Sequence, residues 1–312
     1  MAESKRAMMA AGGTNARGVH AVKRSQRIMH ALFMAPSVIL LAGMFGYPLL
    51  SVLGYSFQKR NIMDPRGIWI GFDNFRKVLV DVSFLKSLSV DLVWTAGAMT
   101  VSAFVGLAVS LLLHERFPMR NLARSFVLIP YIVPTIVVVL VFRYMLNDLY
   151  GIVNYALSAI GFGSQTWLAS PDTSMMALIL MGSWKFFPFF VIALLGRLQM
   201  IPSDQYEAAR VDGANYFQAF RHITWPAILP IFLLTILLRI IWTFNNFDLV
   251  YMLTQGGPLE STMTLPILVY KKAFREFDLG YSSALAVCMI LILVAVSVVY
   301  FYLQERVKRL YD

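Results

Sequence analysis

Charge and cysteine are what this 312-residue chain is short of. Asp, Glu, Lys and Arg make up 14% of it, against about 25% in soluble globular domains. The polar surface that folding in water demands is missing, which excludes a soluble enzyme and a disordered scaffold. A single cysteine, Cys288, set in an apolar run, excludes an internal disulfide and a secreted disulfide domain. Signatures of catalysis are also absent. There is no G-x-x-x-x-G-K-[ST] loop and no G-x-S-x-G elbow, and His114-Glu115 lacks the second histidine of a zinc-binding H-E-x-x-H. The four histidines are scattered, and no internal repeat or low-complexity tract is present.

What is there is apolar: hydrophobic residues are 58% of the chain. Crossing about 30 Å of hydrocarbon takes about 20 mostly apolar residues as a helix. Six stretches qualify: 32–57, 87–113, 122–146, 174–198, 227–253 and 281–303. They predict an all-α polytopic membrane protein with six transmembrane helices. The third is interrupted by Pro130 and Pro134; the fifth contains Arg239, Asn245, Asn246 and Asp248. Six spans put both termini on one side. With the termini inside, fifteen Lys and Arg lie inside and nine outside, so both termini are expected to be cytoplasmic. The formal charge of +10 is thereby assigned to topology and not to nucleic acid. Residues 1–30 are basic and lack apolar periodicity, as a disordered cytoplasmic tail would. Residues 31–312 are then the transmembrane domain. The first apolar stretch is too long for a signal-peptide core of about 7–15 residues, so it reads as an uncleaved anchor.

Between the fourth and fifth spans, residues 201–226 read as helix–turn–helix. Asp204 with Glu207 is a capping-box pair, and Gly213 can end that helix in the left-handed conformation. Asn215 with Gln218 caps a second short helix, on which Phe217, Phe220 and Ile223 share one face. Pro226 sits where the fifth span begins. Aromatics on a loop helix fit a protein partner; an amphipathic helix lying on the membrane is the other reading. Glu207-Ala208-Ala209, then Gly213, Ile223 and Trp225-Pro226 resemble the EAA loop of ABC importer permeases, with Trp225 where the family usually has Leu. Four further segments are similar to carbohydrate-importing members. They are Trp69-Ile-Gly-Phe-Asp-Asn-Phe75, Ile129-Pro-Tyr-Ile-Val-Pro134, the Phe247–Pro258 segment with Ser261-Thr262, and Phe277-Asp-Leu-Gly-Tyr-Ser-Ser-Ala284.

The resemblance implies the type I ABC importer permease fold in a bacterial inner membrane. It implies a second homologous permease, two ATPase subunits holding ATP and Mg, and an extracytoplasmic solute-binding protein. No cofactor is then expected in this chain. The ATPase-coupling positions it implies are Glu207, Ala208, Ala209, Asp212, Gly213, Phe217, Phe220, Ile223 and Pro226. Glu207 would pair with a basic residue of the ATPase groove, and Phe217 with Phe220 would fill it.

The fifth span also carries Arg239, Trp242, Thr243 and Asn246 at i, i+3, i+4 and i+7, one helical stripe. At about 1.5 Å per residue, Arg239 falls near mid-membrane and Asn246 about 10 Å further out. A tryptophan beside hydrogen-bonding groups suits a sugar, though Thr243 and Asn246 can equally bridge helices. Matched against the sugar-contact segments of the larger permease subunit of maltose importers, the substrate path would comprise Tyr131, Thr135, Trp184, Lys185, Phe186, Phe189, Trp242, Thr243 and Asn246, to which the fifth-span stripe adds Arg239. Lys185, Phe186 and Thr243 depart from the maltose pattern. Lys185 and Arg239 face one carboxylate well inside a span, Asp248, which raises an anionic solute such as a glycerol phosphate or an acidic or sulfonated sugar. A carrier driven by an ion gradient is the alternative class.

Overall fold

The computed structural model describes residues 29–311 except 31, 65 and 116, and without the side chains of 303 and 307–311. The expected tail 1–30 therefore lies outside the described residues but for its last two. The chain divides at Gly54/Tyr55 into two units. The first contains most of α1, Leu32–Ser56, with a π turn at Ala42–Gly46. No residue of α1 before Ser56 is buried. A helix apolar on every side and unburied is what a bilayer stabilises.

The second unit opens with a hairpin, β1 (Gln58–Lys59) antiparallel to β2 (Ile68–Trp69), with Phe57 stacked on Trp69 at 5.5 Å. Helices follow: α2 (Asp73–Val80), α3 (Val82–His114), α4 (Arg120–Ile132), α5 (Thr135–Met145), α6 (Ile152–Ala159) and α7 (Pro171–Leu198). Then come α8 (Ser203–Val211), α9 (Tyr216–Phe244), α10 (Asp248–Thr254), α11 (Leu265–Tyr270, prolonged by a π turn) and α12 (Leu279–Tyr311). Among the described residues five helices are long and apolar enough to cross a membrane, or six if the bent pair α4–α5 is one span.

The caps explain where helices exceed the apolar windows. Asp81 accepts the Ser83 backbone N–H at 2.8 Å, so α3 starts at Val82 and not near 87. Ser170 and Pro171 start α7 in the same way, before 174. The third stretch is not one straight helix: α4 and α5 meet at 92°. Pro134 supplies no N–H and biases the residue before it to extended backbone, and Val133 sits at φ −60, ψ 130. The fifth stretch is displaced and broken. Its helix begins at Tyr216, passes through a π turn at Phe220–Thr224 and stops at Phe244. There the Asn245 amide donates back to the Ile241 carbonyl at 2.9 Å, and the Asn246 side chain accepts from Leu249 N–H at 3.2 Å to start α10. Local side-chain bonds of this kind compete with helix continuation.

The core centres on α3 against α7. A Cβ at Gly182 would run into the Trp94 ring, and one at Gly106 into Phe190, so these glycines set how closely the two helices approach. Trp94, Leu178, Met181 and Phe186 continue into Val138 and Val139 of α5 and Leu249, Val250 and Leu253 of α10. Nearer the α8 end, Ala103, Phe190, Leu194, Leu198 and Ile228 join α3, α7 and α9.

Candidate coupling loop and transport path

The α8–α9 turn is built from backbone rules. The Asp204–Glu207 capping box does not form: α8 starts at Ser203 after Pro202, with no side-chain cap. Asp204 falls instead in the first turn, where its charge suits the helix dipole. At the other end, Ala214 N–H reaches the Ala209 carbonyl at 2.8 Å and Gly213 N–H reaches Arg210 at 3.1 Å, with Gly213 at φ +78. That is a Schellman cap, and it explains the spacing between Ala209 and Gly213. Asn215 follows at once as the N-cap of α9, exchanging bonds of 2.9 and 2.8 Å with Gln218. Tyr206 and Thr224 then clasp hydroxyls at 2.9 Å across the turn. Partners 18 residues apart leave no periodic trace, so helical spacing points to neither residue.

On this frame Glu207, Ala208, Asp212 and Gly213 are exposed, and Glu207 makes no ion pair among the described residues. The expected aromatic face divides. Phe217 is 68% exposed, whereas Phe220 is partly buried with its ring 6.1 Å from Trp225, and Ile223 and Pro226 are partly buried. The π turn starting at Phe220 changes the angular step that regular helical spacing assumed.

In the membrane, three helices contribute one row of rings. Tyr131 of α4 lies 6.3 Å from Phe189 of α7, which lies 5.1 Å from Trp242 of α9. Tyr131 is 40% and Trp242 47% exposed, so both offer open ring surface. A second group stands beside it. The Arg239 guanidinium covers the Phe186 ring at 4.0 Å, and the Lys185 ammonium lies 6.0 Å from the same ring. Both cations are nearly fully buried, at 4% and 5% exposure. Arg239 Nη2 donates to Thr243 Oγ1 at 2.9 Å while its Nε is unpartnered. Lys185 Nζ donates to the Val133 carbonyl at 2.8 Å, at the α4–α5 bend.

Three residues fall outside both groups. Trp184 leans on Phe142 at 5.5 Å, Thr135 opens α5, and Asn246 lies beyond the end of α9, so the fifth-span stripe stops at Thr243. Asp248 is not the only carboxylate inside the helices. Asp91 of α3 is 0% exposed, accepts Leu265 N–H at 3.3 Å and leaves its other oxygen unpartnered, whereas Asp248 is exposed. Asp91 lies within the second apolar stretch, where Leu265 at the start of α11 meets it. No cluster of three His, Cys, Asp or Glu fit to hold a metal occurs among the described residues.

Residues 98–309 match the family described as binding-protein-dependent transport system inner membrane component. The chain belongs to this family. It is 36% identical over 278 residues to the inner membrane ABC transporter permease protein YcjO of Escherichia coli (strain K12), covering 88% of this chain and 93% of that one. It is 31% identical over 269 residues to the trehalose/maltose transport system permease protein MalF of Thermococcus litoralis, covering 86% and 91%. In fold it is similar to a crystal structure of a bacterial ABC transporter involved in the import of the acidic polysaccharide alginate. The TM-score is 0.80 at 20% identity, with 93% of this chain and 99% of that chain covered. This permease is therefore a multi-pass inner-membrane component of an ABC importer, a transport subunit and not an enzyme. Membership also sets aside the carrier driven by an ion gradient.

Proposed function

We propose that this permease, paired with a second homologous permease, forms the membrane path for a neutral sugar or sugar-like solute delivered by an extracytoplasmic binding protein. The row Tyr131–Phe189–Trp242 carries the reading. Open aromatic faces suit the C–H side of a sugar ring, and neighbouring polar groups suit its hydroxyls. The trehalose/maltose name of one relative supports the same class. Lys185 and Arg239 already have partners within the chain, which favours a neutral solute. The unpartnered Arg239 Nε supports the second reading, an anionic solute such as a glycerol phosphate or an acidic or sulfonated sugar.

In this proposal the chain spans the bilayer six times, with α4 and α5 as one bent span and both termini cytoplasmic; residues 1–30 are a tail and 31–312 the permease domain. Two ATPase subunits hold ATP and Mg, and one receives the α8 loop, with Glu207 meeting a basic residue of its groove. The Schellman cap and capping box make α8 rigid with respect to α9, so closure of the ATPases would move the spanning helix as a body.

The test is uptake by the importer reconstituted with its ATPases and binding protein. Trp242→Ala should raise KM about five-fold or more, the loss of one aromatic contact of about 1 kcal/mol. Unchanged uptake kinetics would remove Trp242 from the path. Identifying whether the binding protein holds a neutral sugar or its phosphate separates the two solute readings.

A further inference from the structure

A cavity of about 890 Å³ lies where α3 and α7 end and α4 and α8 begin. Its charged lining is Arg120 and Arg124 of α4, Arg210 of α8, Glu115 at the end of α3, and Glu207, with His114 beside them as a neutral imidazole at pH 7. Two apolar helices of 33 and 28 residues finish at this level, which sets the cavity at the polar boundary of the bilayer.

The arginines are only partly occupied. Arg124 Nη2 donates to the Leu113 carbonyl at 3.0 Å, and Arg120 Nη1 reaches the His114 and Glu115 carbonyls at 3.4 and 3.5 Å. Both thus cap the last turn of α3 through one nitrogen each. A guanidinium has five N–H donors, and the Arg124 Nε is buried with no partner. None of the three arginines has an ion pair among the described residues. The two glutamates leave one positive charge in excess, and Glu207 is assigned above to the ATPase.

We propose that this cavity binds the phosphate of an anionic phospholipid headgroup, with Arg120 and Arg124 on one wall and Arg210 on the other. A phosphodiester carries one negative charge and two free oxygens, which guanidinium forks match bidentately. Basic pockets between spanning helices at the cytoplasmic boundary are where anionic lipid headgroups bind. Leu112 and Phe126, exposed on α3 and α4 close in sequence to the lining residues, offer acyl chains an apolar surface. An acidic protein segment would supply the same charge, but the bilayer-level position favours lipid. A bound headgroup would tie α4 to α8, linking the lipid to the loop proposed to transmit ATPase motion.

The assembled importer, both permeases with their ATPases, is tested in phosphatidylcholine nanodiscs with and without phosphatidylglycerol, and retained lipid is counted by native mass spectrometry. Each guanidinium should contribute about five-fold to binding, so R120Q/R124Q should lower phosphatidylglycerol affinity about 25-fold. Arg120 and Arg124 also cap α3, so Arg210→Gln, on an exposed helix, provides an independent variant with an expected loss of about five-fold. Arg197→Gln, whose side chain bonds the Ala227 carbonyl and does not line the cavity, should retain the lipid as wild type does. Unchanged retention in both cavity variants overturns the proposal. So does displacement of the lipid by inorganic phosphate alone, which would make free phosphate the ligand. Loss of ATPase subunits from the variants with lipid still bound overturns it in favour of a protein partner.

Discussion

Gly213 allows the coupling loop to be tested with a single Cβ. The residue sits at φ +78, and nothing lies within 4 Å of where a Cβ would be. Substitution therefore costs only backbone strain. An L-residue in the left-handed conformation costs about 1–2 kcal/mol, and alanine recovers about 0.4–1 kcal/mol by restricting the unfolded chain. Gly213→Ala should thus weaken the Schellman cap by about 1 kcal/mol. Gly213→Val, β-branched, should cost about 2 kcal/mol or more, while Gly213→Asn should cost least, because asparagine tolerates this region. If docking requires the capped turn, ATPase activity stimulated by the loaded binding protein should fall about five-fold for Ala and about thirty-fold for Val. It should stay near wild type for Asn. The side chain touches nothing, so membrane assembly should be equal in all three. Wild-type stimulation in the Val variant, or equal loss in Asn and Val, would refute the reasoning.

Two other outcomes follow from packing and charge. Gly182→Ala should lower the thermal stability of the purified complex by about 1–3 kcal/mol, because its Cβ meets the ring of fully buried Trp94, whose Nε1 is held by the Thr243 carbonyl at 3.2 Å. An unshifted melting temperature would mean the α3–α7 contact yields freely. Glu260 lies 3.4 Å from both Lys86 and Lys271. Partial burial pushes its carboxyl up, but the two ammonium groups outweigh that and hold it below the ordinary value. Its stabilisation is present above about pH 4.3 and is lost as pH falls through the lowered value. Glu260→Gln should flatten the acid side of the stability profile by less than about 1 kcal/mol, since these side chains are 38–47% exposed. An equally steep acid limb in the variant would remove Glu260 from the network.

Much of the coupling loop was legible in the chain because its determinants are local. Gly213 ends α8, and Asn215 with Gln218 starts α9, through bonds spanning three to five residues. The Asp204–Glu207 pair failed by the same local logic, since Pro202 took the N-cap position. The solute path was less legible. Helical spacing carried the fifth-span stripe through to Asn246, but the side-chain bonds of Asn245 and Asn246 end the helix first.

The sequence by itself determined a polytopic helical membrane protein, because long apolar runs in a charge-poor chain have only a bilayer to enter. It also marked the permease family through the 201–226 loop and the four segments around it. Only the tertiary structure decided which polar groups share a place. Lys185 meets the bend at Val133, 52 residues earlier, Trp94 meets Thr243, and Asp91 meets Leu265. Periodicity reports which side of its own helix a residue occupies. Which helix comes to face that side is set by close approach at residues such as Gly106 and Gly182, and that pairing leaves no pattern in the spacing of one chain.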